Sequence, residues 1–310
     1  MKKILLATTL LAATAGYASA EVAISGSARM GLVQSRVGAH AAVADSYVDG
    51  WVDGDWVHNG VLVPGSEADE GSIETQFTSR VRVNFDASGT TDGGLSFGAS
   101  VRADQSGQGG TANGDSTVWI SGAFGKLTFG DVAGGAADNL VGQISGVGFT
   151  GLGDTNEIGF LDGTATAARY DYTSGALSVS VGASQTTAAD GADKASVAVA
   201  YNAGAYNVAV GYETVTGDNL LSIKGGATFG AATVTVKYAK AKDADAEAGI
   251  SLDYAVSPAL TVTAFYTDHV SHQAKGVGAS YDLGGGAKVV GGVVDNGADT
   301  LADIGVKMSF

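Results

Sequence analysis

From residue 22 to the last residue, apolar and polar positions alternate with a period of two, in one segment after another. The terminal stretch is clear: Ile304, Val306, Met308 and Phe310 share one face, and Asp303, Gly305, Lys307 and Ser309 share the other. This is how a β-strand divides its two surfaces. Ile24, Met30 and Leu32 alternate with Ser25, Arg29 and Gly31, and Phe77, Val81, Val83 and Phe85 alternate with Thr78, Arg80, Arg82 and Asn84. The pattern predicts strands near 22–32, 73–86, 95–104, 115–123, 126–131, 167–174, 176–184, 195–202, 205–213, 219–230, 233–241, 247–256, 259–268, 273–283, 286–294 and 301–310. Each is about as long as a tilted strand needs to cross a bilayer.

The connectors also alternate. Short joints at Ala123-Phe124-Gly125, Ser174-Gly175, Asn202-Ala203-Gly204, Gly230-Ala231, Ser257-Pro258 and Gly284-Gly285-Gly286 are interleaved with longer acidic ones at 33–72, 104–115, 131–166, 184–195, 241–247 and 294–301. Short turns on one side and long loops on the other are the mark of a membrane barrel. Closure removes the edges that so many amphipathic strands would otherwise expose. The expected fold is all-β, a transmembrane antiparallel barrel of sixteen strands. The 48 glycines and two prolines suit it, because proline removes ladder donors and glycine serves turns.

The first twenty residues read differently. Lys2 and Lys3, the apolar run Ile4 to Ala15 and the small site Ala18-Ser19-Ala20 form a secretory signal too short to span a membrane. Residues 21–310 are then the barrel. The formal net charge of −15 becomes two units more negative without Lys2 and Lys3. That balance excludes nucleic acid, which needs clustered cations. There is no cysteine, so packing and hydrogen bonds must hold an exported chain. A calcium-stacked solenoid would need a short GGxGxD repeat, and none occurs.

The stretches VRVNFDASGTTDGGLSFGASVRAD (81–104), SGAFGKLTFGDVAGG (121–135), VGASYDLGGGAKVVGGVVDN (277–296) and ADIGVKMSF (302–310) resemble the general porins of Gram-negative outer membranes, most closely the alphaproteobacterial branch. The resemblance implies a homotrimer in the outer membrane, among lipid and lipopolysaccharide. It also implies a third loop folded into the lumen, and passive diffusion of small hydrophilic solutes and ions. The closing Phe310 is read as the C-terminal assembly signal. The chain departs from the family at 33–72, a long first loop with Trp51, Trp56 and His58.

A loop as long as 131–166 inside a compact fold is expected to be functional, and it is the expected constriction. No lysine or arginine lies between Leu127 and Ala168, whereas Asp131, Asp138, Asp154, Glu157 and Asp162 do. The polar faces of the early strands carry Arg29, Arg80, Arg82 and Arg102, and Lys126 opens the strand leading into the loop. Arginine suits such a wall because it stays charged and meets carboxylates with a planar fork. Opposed charges would order water and orient solutes, as charged rings set ion preference.

Other readings are narrower. A substrate-specific channel is the alternative function; it would need an aromatic ladder or pocket in the lumen, and the inward faces offer mostly Ser, Thr, Gly, Asp and Arg. An enzyme would need a histidine beside a nucleophile or carboxylate. His40, His58, His269 and His272 all fall in predicted loops, so no enzyme and no cofactor is expected. Acid clusters could hold structural calcium, though no dedicated calcium loop is present. The strand tyrosines all lie after residue 169, including Tyr172, Tyr201, Tyr212 and Tyr266. Aromatic girdles belong at the lipid interface, so the early strands are the expected subunit contact.

Overall fold

All sixteen alternating segments form strands, and two more strands rise within the first loop. In chain order the elements are β1 (Glu21–Val37), β2 (Ser46–Val52), β3 (Asp55–Val63), β4 (Ser72–Thr90), β5 (Ser96–Ser106), β6 (Ser116–Gly122), β7 (Gly125–Gly130), α1 (Gly135–Leu140), β8 (Ala167–Ser174), β9 (Leu177–Ser184), β10 (Lys194–Asn202), β11 (Tyr206–Val215), β12 (Asp218–Phe229), β13 (Ala232–Ala241), β14 (Ala246–Ala255), β15 (Leu260–Asp268), β16 (Gln273–Gly284), β17 (Ala287–Asp295) and β18 (Thr300–Ser309). The computed structural model describes residues 21–38, 46–52, 55–63, 71–106, 116–132, 135–159, 167–184, 194–215 and 217–310, with the side chains of 46–52, 55–63 and 105–106 left out. The expected secretory leader, residues 1–20, lies outside the described residues.

β1 and β4–β18 pair antiparallel, each with its neighbours, and β18 returns to β1 to close the ring. Closure satisfies every ladder, which a span through hydrocarbon requires. The end of the chain takes part: Gly26 and Phe310 exchange backbone hydrogen bonds of 2.7 and 3.0 Å. The Phe310 ring lies over Gly26, where a Cβ would stand only 2.6 Å from it.

The first loop departs from expectation. β1 and β4 run on as a paired ribbon to Val37↔Ser72, so residues 33–37 are strand. Beyond them β2 and β3 form a separate hairpin with Trp51 opposite Trp56. The long–short alternation of connectors fades in the second half. The loops expected at 241–247 and 294–301 shrink to residues 242–245 and 296–299, because the flanking ladders extend into them. At the turn between β16 and β17, Gly284, Gly285 and Gly286 have φ of 77°, 63° and 85° in succession, a run only glycine adopts without strain.

The two faces of the wall differ as the alternation demands. Val22, Ile24, Met30, Phe77, Val118 and Phe129 are exposed on one, as are Tyr201, Tyr206, Tyr254 and Tyr281 further along. So large an apolar belt is a lipid-facing surface. The barrel-strand tyrosines do lie after residue 169, leaving the belt of β1 and β4–β7 without any; Tyr47 is in β2, off the ring. The polar face carries Ser180, Ser222, Ser251 and Thr267, all buried. They are buried because residues 135–159 lie against that face. Ile144, Val147 and Leu152 of this segment pack with Phe265, Ala274 and Val294 of the wall, and Ile158 packs with Leu220 and Ala239. The apolar core is therefore the seam between loop and wall.

Candidate functional site

The segment after β7 is fixed to the polar face at intervals around the ring. α1 comes first. Ser196 Oγ of β10 accepts from Ala136 N at 2.8 Å, and Gly211 leaves room for Ala137, whose Cβ would stand 2.7 Å from any Cβ there. Next, Ser145 N donates to Ser251 Oγ (3.1 Å) and Ser145 Oγ to Asp253 (2.6 Å). The Phe149 ring rests on the paired glycines Gly31 of β1 and Gly305 of β18. The chain then returns, and Thr155 O accepts from Thr267 Oγ1 at 2.8 Å, with His269 Nε2 at 3.0 Å. A segment of this length can touch β10 and β1 alike only from within the ring.

Two buried charges of opposite sign clamp it. Asp303 of β18 accepts from Phe149 N (3.1 Å), Thr150 N (2.7 Å) and Thr150 Oγ1 (2.6 Å). Lys237 Nζ of β13 donates to Gln143 Oε1 (2.7 Å) and Ile158 O (3.0 Å). Gln143 and Ile158 also bond each other reciprocally, at 2.9 and 3.0 Å. Neither clamp stood out in the sequence. Each was one more charge on a polar strand face.

Between the clamps lies a strained stretch. Gly151, Leu152, Gly153 and Asp154 have φ of 95°, 49°, 84° and 53°. Leucine and aspartate there pay a backbone penalty, and the turn presents the Asp154 and Glu157 side chains to solvent. Asp138 extends from α1, within electrostatic reach of Glu157, Lys224 and Lys237. Partial desolvation, with Asp154 and Asp138 close by, holds the Glu157 carboxyl above its usual range, and Lys237 opposes this. Asp131 lies elsewhere, just past β7, where its N–H bonds Ser116 O at 2.9 Å. Asp162 lies outside the described residues.

Arg29, Arg80, Arg82 and Arg102 are brought together on the polar face of β1, β4 and β5. Arg29 is directly across from Arg80, and its Nη1 donates to Thr150 O at 3.2 Å. Asp104 takes Arg82 on one oxygen (2.8 Å) and Arg102 on the other (2.9 Å). Lys126 does not join them. It sits by the β6–β7 turn, opposite Asp171, with Nζ 4.8 Å above the Trp119 ring. Charges beyond the expected set complete the picture. Lys307 is across from Arg29, and Lys224 is across from Lys237 on the other side of the loop acids. Arg29 and Lys307 are at opposite ends of the chain, so only closure of β18 on β1 pairs them, whereas Lys224 and Lys237 face each other across one hairpin.

Two of the histidines, His269 and His272, have described side chains, at the β15–β16 connector. His269 and His272 stack at 4.6 Å with Glu247 3.6 Å from His269 Nδ1. Among the described residues no three His, Asp or Glu side chains are placed to hold a metal ion.

Comparison with known proteins agrees with this architecture. Residues 7–301 match the family model described as Gram-negative porin. A porin of Rhodobacter capsulatus is 38% identical over 285 residues, which cover 76% of this chain and 93% of the relative. A porin structure refined at 1.8 Å superposes with a TM-score of 0.66 at 31% identity, covering 94% of this chain and all of the other. A triple mutant of the Rhodopseudomonas blastica porin superposes with a TM-score of 0.71 at 22% identity over the same shares, a likeness of fold. The ring of amphipathic strands, its lipid-facing belt and these matches together establish that the chain belongs to the Gram-negative porins, the diffusion channels of the outer membrane.

Proposed function

We propose that the channel is narrowed by residues 135–159 and passes small hydrophilic solutes and ions passively, without a dedicated substrate. The observation that carries this is the charge layout at that level. Asp138, Asp154 and Glu157 project from the loop, with Arg29, Arg80 and Lys307 to one side and Lys224 to the other. Opposed charges across a bore hold water and polar solutes oriented and disfavour apolar ones. No aromatic ladder follows the polar faces of the described strands, which favours a general pore over a substrate-specific one. The channel has no catalytic role in this reading.

The working unit is a homotrimer set in outer-membrane lipid and lipopolysaccharide. The belt of β1 and β4–β7 supports this, because it lacks the interfacial tyrosines found around the rest of the ring. The aromatic C-terminus, with Phe310 sealing β18 to β1, serves as the assembly signal.

Reconstitution tests the reading. Purified protein in planar bilayers should give discrete ohmic conductance steps in potassium chloride, and liposomes containing it should swell in small sugars. Membranes that stay tight to both would refute it.

A further inference from the structure

Strand register lines up cations in a way the pairs above only begin to show. Arg80 of β4 is directly across from Arg29 of β1, Arg29 from Lys307 of β18, and Lys307 from Lys288 of β17. All are on the polar face, since their strand neighbours Val81, Met30, Ile304 and Val293 supply the exposed belt on the other. With strands about 4.8 Å apart, the row is about 14 Å long. Membrane strands tilt by about 40°, so it climbs about 9 Å along the bore. Its two ends agree with that slope. Arg80 is across from Ser106, the last residue of β5 on the loop side, and Lys288 is the second residue of β17, beside the turn.

Like charges directly opposite in a sheet destabilise it. This row runs through four neighbouring strands and is poorly neutralised. Asp104 is held by Arg82 and Arg102, and both oxygens of Asp303 are taken by Phe149 and Thr150. Asp154 faces the row from the loop, and Asp282 ends it across from Lys288. Arg80, Lys307 and Lys288 have no carboxylate at salt-bridge distance among the described residues.

We propose that this oblique row is a binding track for multiply charged oxyanions, the phosphate group above all, along which phosphorylated small solutes pass from loop to turn side. Guanidinium and ammonium groups form charge-assisted hydrogen bonds to such oxygens. A divalent anion spans two adjacent cations of the row at once, whereas chloride meets one. The track rests on the pore reading above, and gives an otherwise acidic protein a path for anions.

The probe is inorganic phosphate. In bilayers carrying potassium chloride current, phosphate should reduce the wild-type current saturably, and nitrate at equal ionic strength should not. In the double variant Lys288→Gln/Lys307→Gln, half-saturation should rise at least tenfold. Lys275→Gln removes a cation from the outward face, where it pairs with Asp295, and should leave half-saturation unchanged. Phosphorus-31 line broadening on detergent-purified protein reads the same occupancy without conduction. An absence of conductance would then sink the pore reading alone, and an unbroadened wild-type signal would sink the track. Equal half-saturation in wild type and double variant, or an equal effect of nitrate, would also overturn it. Should the double variant fail to fold, Lys307→Gln alone changes a solvent-exposed side chain, and must shift half-saturation several-fold.

Discussion

Asp303→Asn tests whether the loop is held in place by one buried carboxylate. Asp303 is 6% exposed and accepts from two backbone N–H groups and a hydroxyl, at 3.1, 2.7 and 2.6 Å. Asparagine keeps an acceptor for Phe149 N. Its amide group then faces Thr150 N–H, donor against donor, and the Thr150 hydroxyl must turn around. Hydrogen bonds to a charged group are worth about 1.5–3 kcal/mol each. Losing one and weakening a second costs the docked loop about 2–4 kcal/mol, which raises the detached population about 30- to 700-fold at 1.4 kcal/mol per decade. The barrel ladders are untouched, so the ring should remain folded. Hydrogen exchange of peptides spanning residues 145–152 reads the effect directly, and excess noise on the open-channel current reads its consequence. Exchange of Phe149 and Thr150 within threefold of wild type would show that the apolar seam holds the loop without this clamp.

Two further outcomes are expected. Glu157 has its carboxyl held above the usual range, so as pH falls it takes its proton before an ordinary glutamate would. Reversal potentials across a potassium chloride gradient should shift toward anions in a step that Glu157→Gln lacks; coincident titration curves for the two proteins would refute this. Ile24→Lys places a charge in the tyrosine-free belt, opposite Phe85, and should give folded monomers by light scattering in detergent. Trimers that persist would place the subunit contact elsewhere.

The strands were legible because lipid on one side and water on the other impose a period of two on every segment, whatever its neighbours. The sixteen ring strands are thus written locally, as are the leader pattern and the acidity of residues 131–166. The hairpin β2–β3 was missed because its apolar residues fall side by side, as in Tyr47-Val48, Trp51-Val52 and Trp56-Val57, rather than in alternation. The loops at 242–245 and 296–299 are shorter than expected only at their ends, because residues such as Ala246, Asp295 and Thr300 are as acceptable at a strand end as in a loop.

The site was legible only in part. Residue type alone marked Arg29, Arg80, Arg82 and Arg102, and the loop acids Asp138, Asp154 and Glu157. Nothing in sequence order links Arg80 to Lys307, or Lys237 to Gln143. Closure of β18 on β1 and the shear of the ladders make those neighbours, and the fit of Phe149 over Gly31 and Gly305 decides where the loop runs. Sequence determines which face each side chain takes, because that choice is local. Which charges share a stretch of the bore is decided by closure, because only the ring brings residues hundreds of positions apart to adjacent strands.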